Sequence, residues 1–396
     1  MYSFTKLNRR FSAVKYDADE QKCYRNLQSV SKYGPDVVFV ADDSEWDTSK
    51  RRSNDIDLRK QDDIISHQYV LKYDKFPTMG IVIYRDPGDD PFSYWDLISV
   101  VRYYLNKVGY KAEYTDGDYL RLSKQLGISK DKVISYLGDT SRVPMIVWTG
   151  FFGGVDATAY EDWWKYLDRQ RKKSADPHLI ALNKQEFFSS PYSVLITNPN
   201  SRRHRYPVTI KFSDTMALGP QGGLAALGAI VGQAKIDTKK WDLQDGLITY
   251  RQYKDPTYGG YYKQHMRYLL EQRPKDYQRY ALGDSEVTLK YLNVLMGNVI
   301  GVYNDGLIDK VHVPATLTSL ADEISSHFSK LPFDDTTTKD IYDSIFEDID
   351  VEKYLRPVTF NQQPPRDVDE WKKVLTAVLD GSSLPGDSRR FGYQKL

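Results

Sequence analysis

Residues 36–45 read DVVFVADDSE, an apolar run that ends in acidic residues. The apolar part is typical of a buried strand. Residues two apart in a strand point to the same face, so Asp43 and Glu45 would project together from its end. Two adjacent carboxylates repel each other unless they share a cation, and Mg²⁺ prefers such oxygen ligands. Asp-x-Glu is nevertheless a common pattern, and a solvated loop start is the simpler interpretation of this pair alone.

The segments after this strand predict an α/β protein. Two apolar runs, IISHQYVLKY at 64–73 and GIVIYRD at 80–86, favour a meander with the first strand. Helical spacing of apolar residues predicts a helix over 92–108 that ends at Gly109. The remaining predicted elements are one or two short helices over 118–137, a strand at 143–149, a helix over 156–173, a hairpin over 192–213, a short helix in LAALGAIVG and a long helix over 275–297.

Two later segments carry further candidate functional residues. Asp156 follows the strand at 143–149 and opens a predicted helix, where an N-cap is its simplest role. Tyr280 and Asp284 stand four residues apart on the long helix and therefore share one helix face. Along the chain, the order is Asp-x-Glu on a first strand, Asp after a later strand, and Tyr-x-x-x-Asp on a long helix.

The composition excludes several classes of protein. With 40% hydrophobic and 28% charged residues among 396, wholesale disorder, collagen and coiled coil are ruled out. No apolar run approaches the ~20 residues of a membrane span, and the N-terminus lacks the apolar core of a signal peptide. We therefore expect a cytoplasmic or nucleic-acid-associated protein with no membrane contact. The single cysteine excludes a multi-thiolate metal site, and a net charge of +1 confines nucleic-acid contacts to local clusters.

The order of the acidic motifs resembles that of the DEDD superfamily of 3′–5′ exonucleases, tyrosine subtype, which also provides the proofreading domain of family B DNA polymerases. RYALGDSEVTLKYL at 279–292 is similar to the third exonuclease motif of those polymerases, and the segment 211–232 resembles the region before it in plasmid- and phage-type enzymes. The resemblance covers roughly residues 36–300. It implies an α/β, ribonuclease-H-like fold, with a mixed β-sheet flanked by helices and a small, mostly helical C-terminal region.

The resemblance also implies a mechanism, hydrolysis of a phosphodiester bond assisted by two Mg²⁺ or Mn²⁺ ions. The phenol of Tyr280 would orient the attacking water. Asp42 competes with Asp43 for the first position, but only Asp43 has the required spacing to Glu45. The chain departs from the family at 150–154, where glycine and phenylalanine replace the usual Asn or His. The expected metal ligands are Asp43, Glu45, Asp156 and Asp284.

Contacts with nucleic acid are expected at two places. A hairpin turn that contains SRRHR would present Arg202, Arg203 and Arg205 to phosphates. Phe151 and Phe152, close to Asp156, would wedge or stack against a terminal base. Core packing is an equally good interpretation of these two phenylalanines.

The sequence predicts three regions. Residues 1–34 form a lead-in, 35–305 an exonuclease domain with a hairpin insertion at about 192–212, and 306–396 a helical accessory region. The expected activity is removal of nucleotides from single-stranded or frayed DNA 3′ ends, in proofreading or end processing. No SLYPS-like or DTDS motif is present. The sequence therefore predicts either a free-standing exonuclease or the N-terminal piece of a replication enzyme split between chains, whose partner would be a DNA polymerase or another replication subunit. A non-catalytic scaffold that binds DNA or a polymerase, and an exoribonuclease of the RNase D kind, remain alternatives.

Overall fold

The computed structural model describes residues 7–17, 22–28, 36–49, 63–138, 140–150, 156–163, 179–182, 185–188, 191–199, 201–219, 223–303, 313–314 and 321. The chain forms two compact units, Met1–Leu320 and Ala321–Leu396. Apart from residues 313, 314 and 321, the predicted helical region 306–396 lies outside the described residues. Within the described ranges, no helix is both long enough and apolar enough to cross a membrane.

Nine strands and nine α-helices of the first unit have both ends within the described residues. The strands are β1 (Phe11–Lys15), β2 (Val37–Trp46), β3 (Ile64–Tyr73), β4 (Met79–Tyr84), β5 (Met145–Gly150), β6 (Leu179–Leu182), β7 (Gln185–Phe188), β8 (Tyr192–Asn198) and β9 (Ser201–Asp214). The helices are α1 (Tyr94–Lys107), α2 (Asp116–Leu126), α3 (Lys130–Leu137), α4 (Thr215–Leu218), α5 (Gly223–Ile230), α6 (Lys239–Gln244), α7 (Tyr250–Lys254), α8 (Met266–Gln272) and α9 (Pro274–Tyr303).

Seven of the strands form one mixed sheet in the order β1-β4-β3-β2-β5-β9-β8. β3 and β4 continue antiparallel from β2 on one side, and β1 pairs antiparallel with β4 at that edge. On the other side, β5 and β9 run parallel to β2, and β8 returns antiparallel to β9. Because β2 lies at the centre, the carboxyl ends of β2, β5 and β9 meet at one edge of the sheet.

Helices cover both faces of the centre of the sheet, which explains why every residue of β3 is buried. On one face, the backbone N–H of Tyr73 donates to the hydroxyl of Tyr104 in α1 at 3.0 Å. On the other face, the hydroxyls of Ser66 and Tyr277 in α9 lie 2.6 Å apart. The alternation of side chains along β3 thus divides its contacts between α1 and α9.

The long helix α9 begins at Pro274, a residue favoured at the first helical position. The hydroxyl of Ser285 donates to the carbonyl of Gln68 in β3 at 3.0 Å. Gly80 in β4 lies directly under this helix, since a Cβ there would come within 3.0 Å of both terminal methyl groups of Leu282. The missing side chain lets α9 approach the sheet closely, and this approach brings Asp284 to the end of β2.

Most of the predicted elements are confirmed. The strand predicted at 64–73 has those bounds, the strand at 36–41 continues to Trp46, and the strand at 80–86 is Met79–Tyr84. The long helix over 275–297 is confirmed within α9, and the region 118–137 contains two helices, α2 and α3. The mixed α/β class is confirmed as well.

The structure adds detail to two expected regions and corrects two others. The lead-in 1–34 contributes a strand of the main sheet, β1. The expected hairpin insertion at about 192–212 belongs to the same sheet, because β9 pairs with β5. Its SRRHR sequence lies in β9 and not in a turn, since the strand begins at Ser201. A helix was predicted over 156–173. The structure instead begins this region with a short 3-10 helix, Asp156–Ala159, and residues 164–173 lie outside the described ranges.

Candidate metal centre

Three carboxylates meet at the carboxyl end of β2. Asp43, Glu45 and Asp284, which we call the acidic trio, each offer an oxygen, and these oxygens lie within 4.8 Å of one another. Glu45 and Asp284 are buried, and Asp43 is half-buried. Carboxylate oxygens are the ligands of hard divalent cations. The donor set therefore fits a divalent metal ion.

The fold explains how these residues meet. Asp43 and Glu45 are two positions apart in β2 and project from the face of the sheet that α9 covers. Asp284 lies on the face of α9 that also carries the buried residues Tyr277 and Tyr280. The amide of Gln68, on the neighbouring strand β3, donates to Asp43 at 2.9 Å and holds that carboxylate in place.

The burial and proximity of the trio raise the pKa of each member. Burial, followed by repulsion from Asp284, raises the pKa of Asp43 to about 7. Burial, followed by repulsion from Asp43 and Asp284, raises the pKa of Glu45 well above its ordinary value. Burial also raises the pKa of Asp284. In all three, the ionised form is disfavoured, so a cation at this place would relieve a cost already present in the fold.

Lys235 supplies one positive charge to the trio. Its ammonium group donates to Asp284 at 2.5 Å, and the side chain is 40% exposed. Burial would lower the pKa of Lys235, but attraction to Asp284, Asp43 and Glu45 outweighs it and raises the pKa. Sequence analysis missed this residue, because it is one lysine in a polar segment, GQAKIDTKK, with no periodic or motif signal.

Tyr280 lies beside the trio, one helical turn before Asp284. Its side chain is buried, and the ammonium of Lys235 lies 5.8 Å from the centre of its ring. Burial, followed by the negative charges of Glu45, Asp284 and Asp43, raises the pKa of its phenol far above 10. The phenol therefore keeps its proton at neutral pH and can donate a hydrogen bond, but it cannot act as a base.

Asp156 lies close to the trio but outside it. It opens the 3-10 helix after β5, and one of its oxygens accepts from the hydroxyl of Ser44 at 3.1 Å. Its charge contributes to the raised pKa of Glu45, which shows that the two carboxylates sense each other. The indole N–H of Trp46 donates to the same serine oxygen at 2.9 Å. Ser44, the residue between Asp43 and Glu45, thus links Asp156 to β2.

Asp42 points away from the trio into the core between the sheet and α1. One of its oxygens accepts from Tyr160 at 2.6 Å and from the indole of Trp148 at 3.0 Å. The other lies 3.1 Å from Nδ1 of His67, whose side chain is fully buried. This arrangement explains why Asp42 cannot replace Asp43 as a ligand, and it anchors β2 from behind.

Of the predicted nucleic-acid residues, Arg205 has a described side chain, and it lies far from the trio. Arg205 is exposed and lies over the ring of Tyr136 at 5.8 Å. It stands nine residues before Asp214, the residue of β9 level with the end of β5, so it lies ~30 Å along the strand from the trio's edge of the sheet. Arg202 and Arg203 belong to the same strand, but their side chains lie outside the described part. Phe151 and Phe152 also lie outside it.

Comparison of the chain with protein-family models, with curated proteins and with solved structures finds no match.

Proposed function

We propose that this protein is a metal-dependent 3′–5′ exonuclease that removes nucleotides from DNA 3′ ends. The observation that carries the proposal is the acidic trio, with Tyr280 one helical turn before Asp284. The motifs that suggested an exonuclease are more than 230 residues apart in the chain, yet they provide adjacent side chains. Acidic residues that lie near each other on a surface by chance stay solvated. In this protein, burial disfavours the ionised form of all three carboxylates.

The sheet supports the same proposal. The central strand β2 has an antiparallel meander, β3 and β4, on one side and two parallel strands, β5 and β9, on the other, which is compatible with a ribonuclease-H-like fold. In this arrangement, β2 and the long helix α9 carry the acidic residues to one edge of the sheet. The proposed DNA end would approach that edge.

We assign a role to each residue of the site. Asp43, Glu45 and Asp284 would hold a Mg²⁺ or Mn²⁺ ion, and Asp156 would complete a second position from the end of β5. A bound divalent ion would supply an activated water and stabilise the leaving 3′ oxygen. The protonated phenol of Tyr280 would donate a hydrogen bond that orients this water. Lys235 would balance part of the charge that the carboxylates and the phosphate bring together.

The experiment is a time course on 5′-labelled single-stranded DNA with Mg²⁺ or Mn²⁺, and a parallel course on RNA of the same sequence. The wild type should shorten DNA from its 3′ end, and Asp284→Asn should not. Asp116→Asn is the matched control, because Asp116 lies on α2 and its side chain is 82% exposed. Absence of shortening, or equal shortening by Asp284→Asn, would overturn the proposal. Shortening of RNA alone would select the RNase D-like activity.

A second candidate is a non-catalytic scaffold that binds DNA or a polymerase subunit. The ion pair between Lys235 and Asp284 favours it, because an ammonium group already supplies positive charge at the trio. In the part of the chain that the structure describes, Asp43 and Glu45 have no ion pair of this kind to balance their charges, which is why we favour the enzyme. A protein that binds single-stranded DNA, does not bind Mn²⁺ and leaves DNA intact would be this scaffold.

A further inference from the structure

We propose that residues 250–268, which we name the tyrosine segment, hold a single nucleic-acid strand beside the acidic trio. The inference builds on the proposed function, since it names the strand that the exonuclease would grip. The segment reads YRQYKDPTYGGYYKQHMRY. It contains six tyrosines and four basic residues against one aspartate.

The tyrosine rings offer stacking surfaces at the protein surface. Tyr250 is 62% exposed and Tyr268 is 37% exposed, which is unusual for large aromatic residues. The ring of Tyr253 lies 6.2 Å from that of Tyr250, and Tyr262 stacks on Tyr268 at 5.9 Å. Unpaired bases stack on such rings irrespective of sequence. Paired bases in a duplex are already stacked, so the segment is suited to a single strand.

Exposed cations accompany the rings. The ammonium of Lys254 lies 5.5 Å from the ring centre of Tyr250 and 5.7 Å from that of Tyr253. Lys263 is exposed as well. Among the described residues, no carboxylate forms an ion pair with either lysine. Their charges are thus available to phosphates that run between stacked bases.

The acidic residues near the segment are engaged elsewhere. Both oxygens of Asp242 accept backbone N–H groups, from Tyr261 at 2.8 Å and from Tyr262 at 2.9 Å. Asp245 is paired with Arg273 at 2.6 Å. These acids therefore hold the fold of the segment. On its outer surface, three exposed basic residues outnumber one exposed acid: Arg251, Lys254 and Lys263 against Asp255.

The segment borders the trio. The backbone of Thr48, two residues after β2, donates to the carbonyl of Gln264 at 3.2 Å. Asp47 accepts from the backbone N–H of Arg267 at 3.1 Å. A strand that lies on the segment would therefore have its end close to the three carboxylates.

The shape of the segment is fixed before any strand binds. Gly260 has φ of +91°, a backbone conformation that residues with side chains rarely adopt. A Cβ at this position would also lie 2.8 Å from Asp242. Glycine permits this turn, and the two hydrogen bonds from the backbone N–H groups of Tyr261 and Tyr262 to Asp242 hold it. A preformed surface loses less entropy when a strand binds.

The test measures binding by fluorescence anisotropy in EDTA, so that no hydrolysis is needed. The probes are labelled (dT)15, (rU)15 and a blunt DNA duplex. Tyr250→Ala/Tyr268→Ala should raise the Kd of (dT)15 about tenfold or more, because each base stack contributes substantially to affinity. The duplex Kd should not change. Tyr250→Phe/Tyr268→Phe, which keeps both rings, should bind as the wild type does.

A second measurement keeps the proposal testable if the alanine variant folds poorly. Lys254→Gln and Lys263→Gln should each lower the slope of log affinity against log salt by about 0.7, the value for one phosphate contact on a single strand. The controls are Lys130→Gln, at a partly exposed position on α3, and Leu120→Ala, at an exposed position on α2; both should leave Kd and slope unchanged.

The outcomes separate this proposal from the proposed function. Unchanged Kd values and salt slopes in Tyr250→Ala/Tyr268→Ala, Lys254→Gln and Lys263→Gln would overturn the tyrosine segment, even if Asp284→Asn abolishes shortening. A loss of binding that is equal for duplex and single strand would overturn it too. Weakened single-strand binding in a protein that shortens neither DNA nor RNA would support the segment and refute the exonuclease. Equal effects on (dT)15 and (rU)15 support the proposed stacking, which does not read the 2′-hydroxyl.

Discussion

The ammonium of Lys235 lies 2.5 Å from a carboxylate oxygen of Asp284, and its charge also lowers the pKa values of Asp43 and Glu45. A lysine 49 residues upstream of the aspartate thus acts as a counter-ion for the whole trio. A divalent ion that enters the trio must share these oxygens with the ammonium group. The charge balance at this point connects the stability, the pH dependence and the proposed activity of the protein.

Lys235→Met should destabilise the metal-free protein and increase its response to metal. The ion pair is partly exposed, so we expect a loss of about 1 kcal/mol, equivalent to a fall of roughly 2 °C in Tm. Saturating Mn²⁺ should raise the Tm of Lys235→Met by more than that of the wild type, because more repulsion is relieved. Thermal unfolding in EDTA and in Mn²⁺ measures both effects. Lys130→Met removes an exposed ion pair and is the control; equal metal responses in all three proteins would contradict the counter-ion role.

The stability of the metal-free protein should fall as the pH rises towards and through about 7. The pKa of Asp43 is raised to about 7 and that of Glu45 is also raised, so the folded protein binds protons more tightly than the unfolded chain. The corresponding stability is fully present below about pH 4 and is lost as the pH rises through the folded pKa values.

Tm measured from pH 5 to 8 in EDTA tests this slope, and Asp43→Asn should flatten it. Metal should reverse the trend, since metal binding must displace the same protons and therefore strengthens with pH. The contradicting result is a Tm in EDTA that rises from pH 5 to 8 and rises more steeply in the wild type than in Asp43→Asn. It would show that the pKa shifts of the trio have the opposite sign.

Tyr280→Phe should slow DNA shortening and leave Mn²⁺ binding nearly unchanged. The phenol holds its proton through neutral pH, so its proposed contribution is one hydrogen bond to water and not a charge or a ligand. A rate reduced by about 10-fold or more, with kcat affected and not KM, is expected. Loss of Mn²⁺ affinity in this variant would instead place Tyr280 among the metal ligands.

Gly80→Ala should destabilise the protein by about 1–3 kcal/mol, the usual cost of overpacking a core. The new methyl group would meet Leu282 at 3.0 Å and the hydroxyl of Tyr16 at 3.1 Å. Leu282→Ala in the same chain should recover part of the loss, because it removes the atoms that collide. Urea unfolding of the two single variants and the double variant measures this coupling. Strict additivity would show that α9 does not rest on Gly80.

The sequence predicted the elements whose periodicity is strong. The run from Val37 to Ala41, the strand at 64–73 and the helix that carries Asp284 are long and regular, so their type follows from burial alone. The choice of Asp43 over Asp42 rested on the spacing to Glu45 that the family resemblance requires. The structure places Asp42 against Trp148 and Tyr160 in the core, and Asp43 in the trio.

What the sequence did not predict depends on contacts between distant segments. Lys235 has no pattern around it, and only the tertiary fold brings it to Asp284. Arg205 was placed on a hairpin tip because polar residues surround it. The strand begins at Ser201 instead, and its parallel pairing with β5 directs that end away from the trio. Register between strands far apart in sequence is a tertiary property, so local propensity does not determine it.

Mn²⁺ binding to the metal-free protein, followed by electron paramagnetic resonance, shows whether the acidic trio holds a metal ion. The wild type and Asp116→Asn should bind Mn²⁺ at neutral pH, and the affinity should be at least tenfold lower in Asp284→Asn. Equal Mn²⁺ binding by all three proteins, or none by the wild type, would contradict the assignment of the acidic trio as a metal centre.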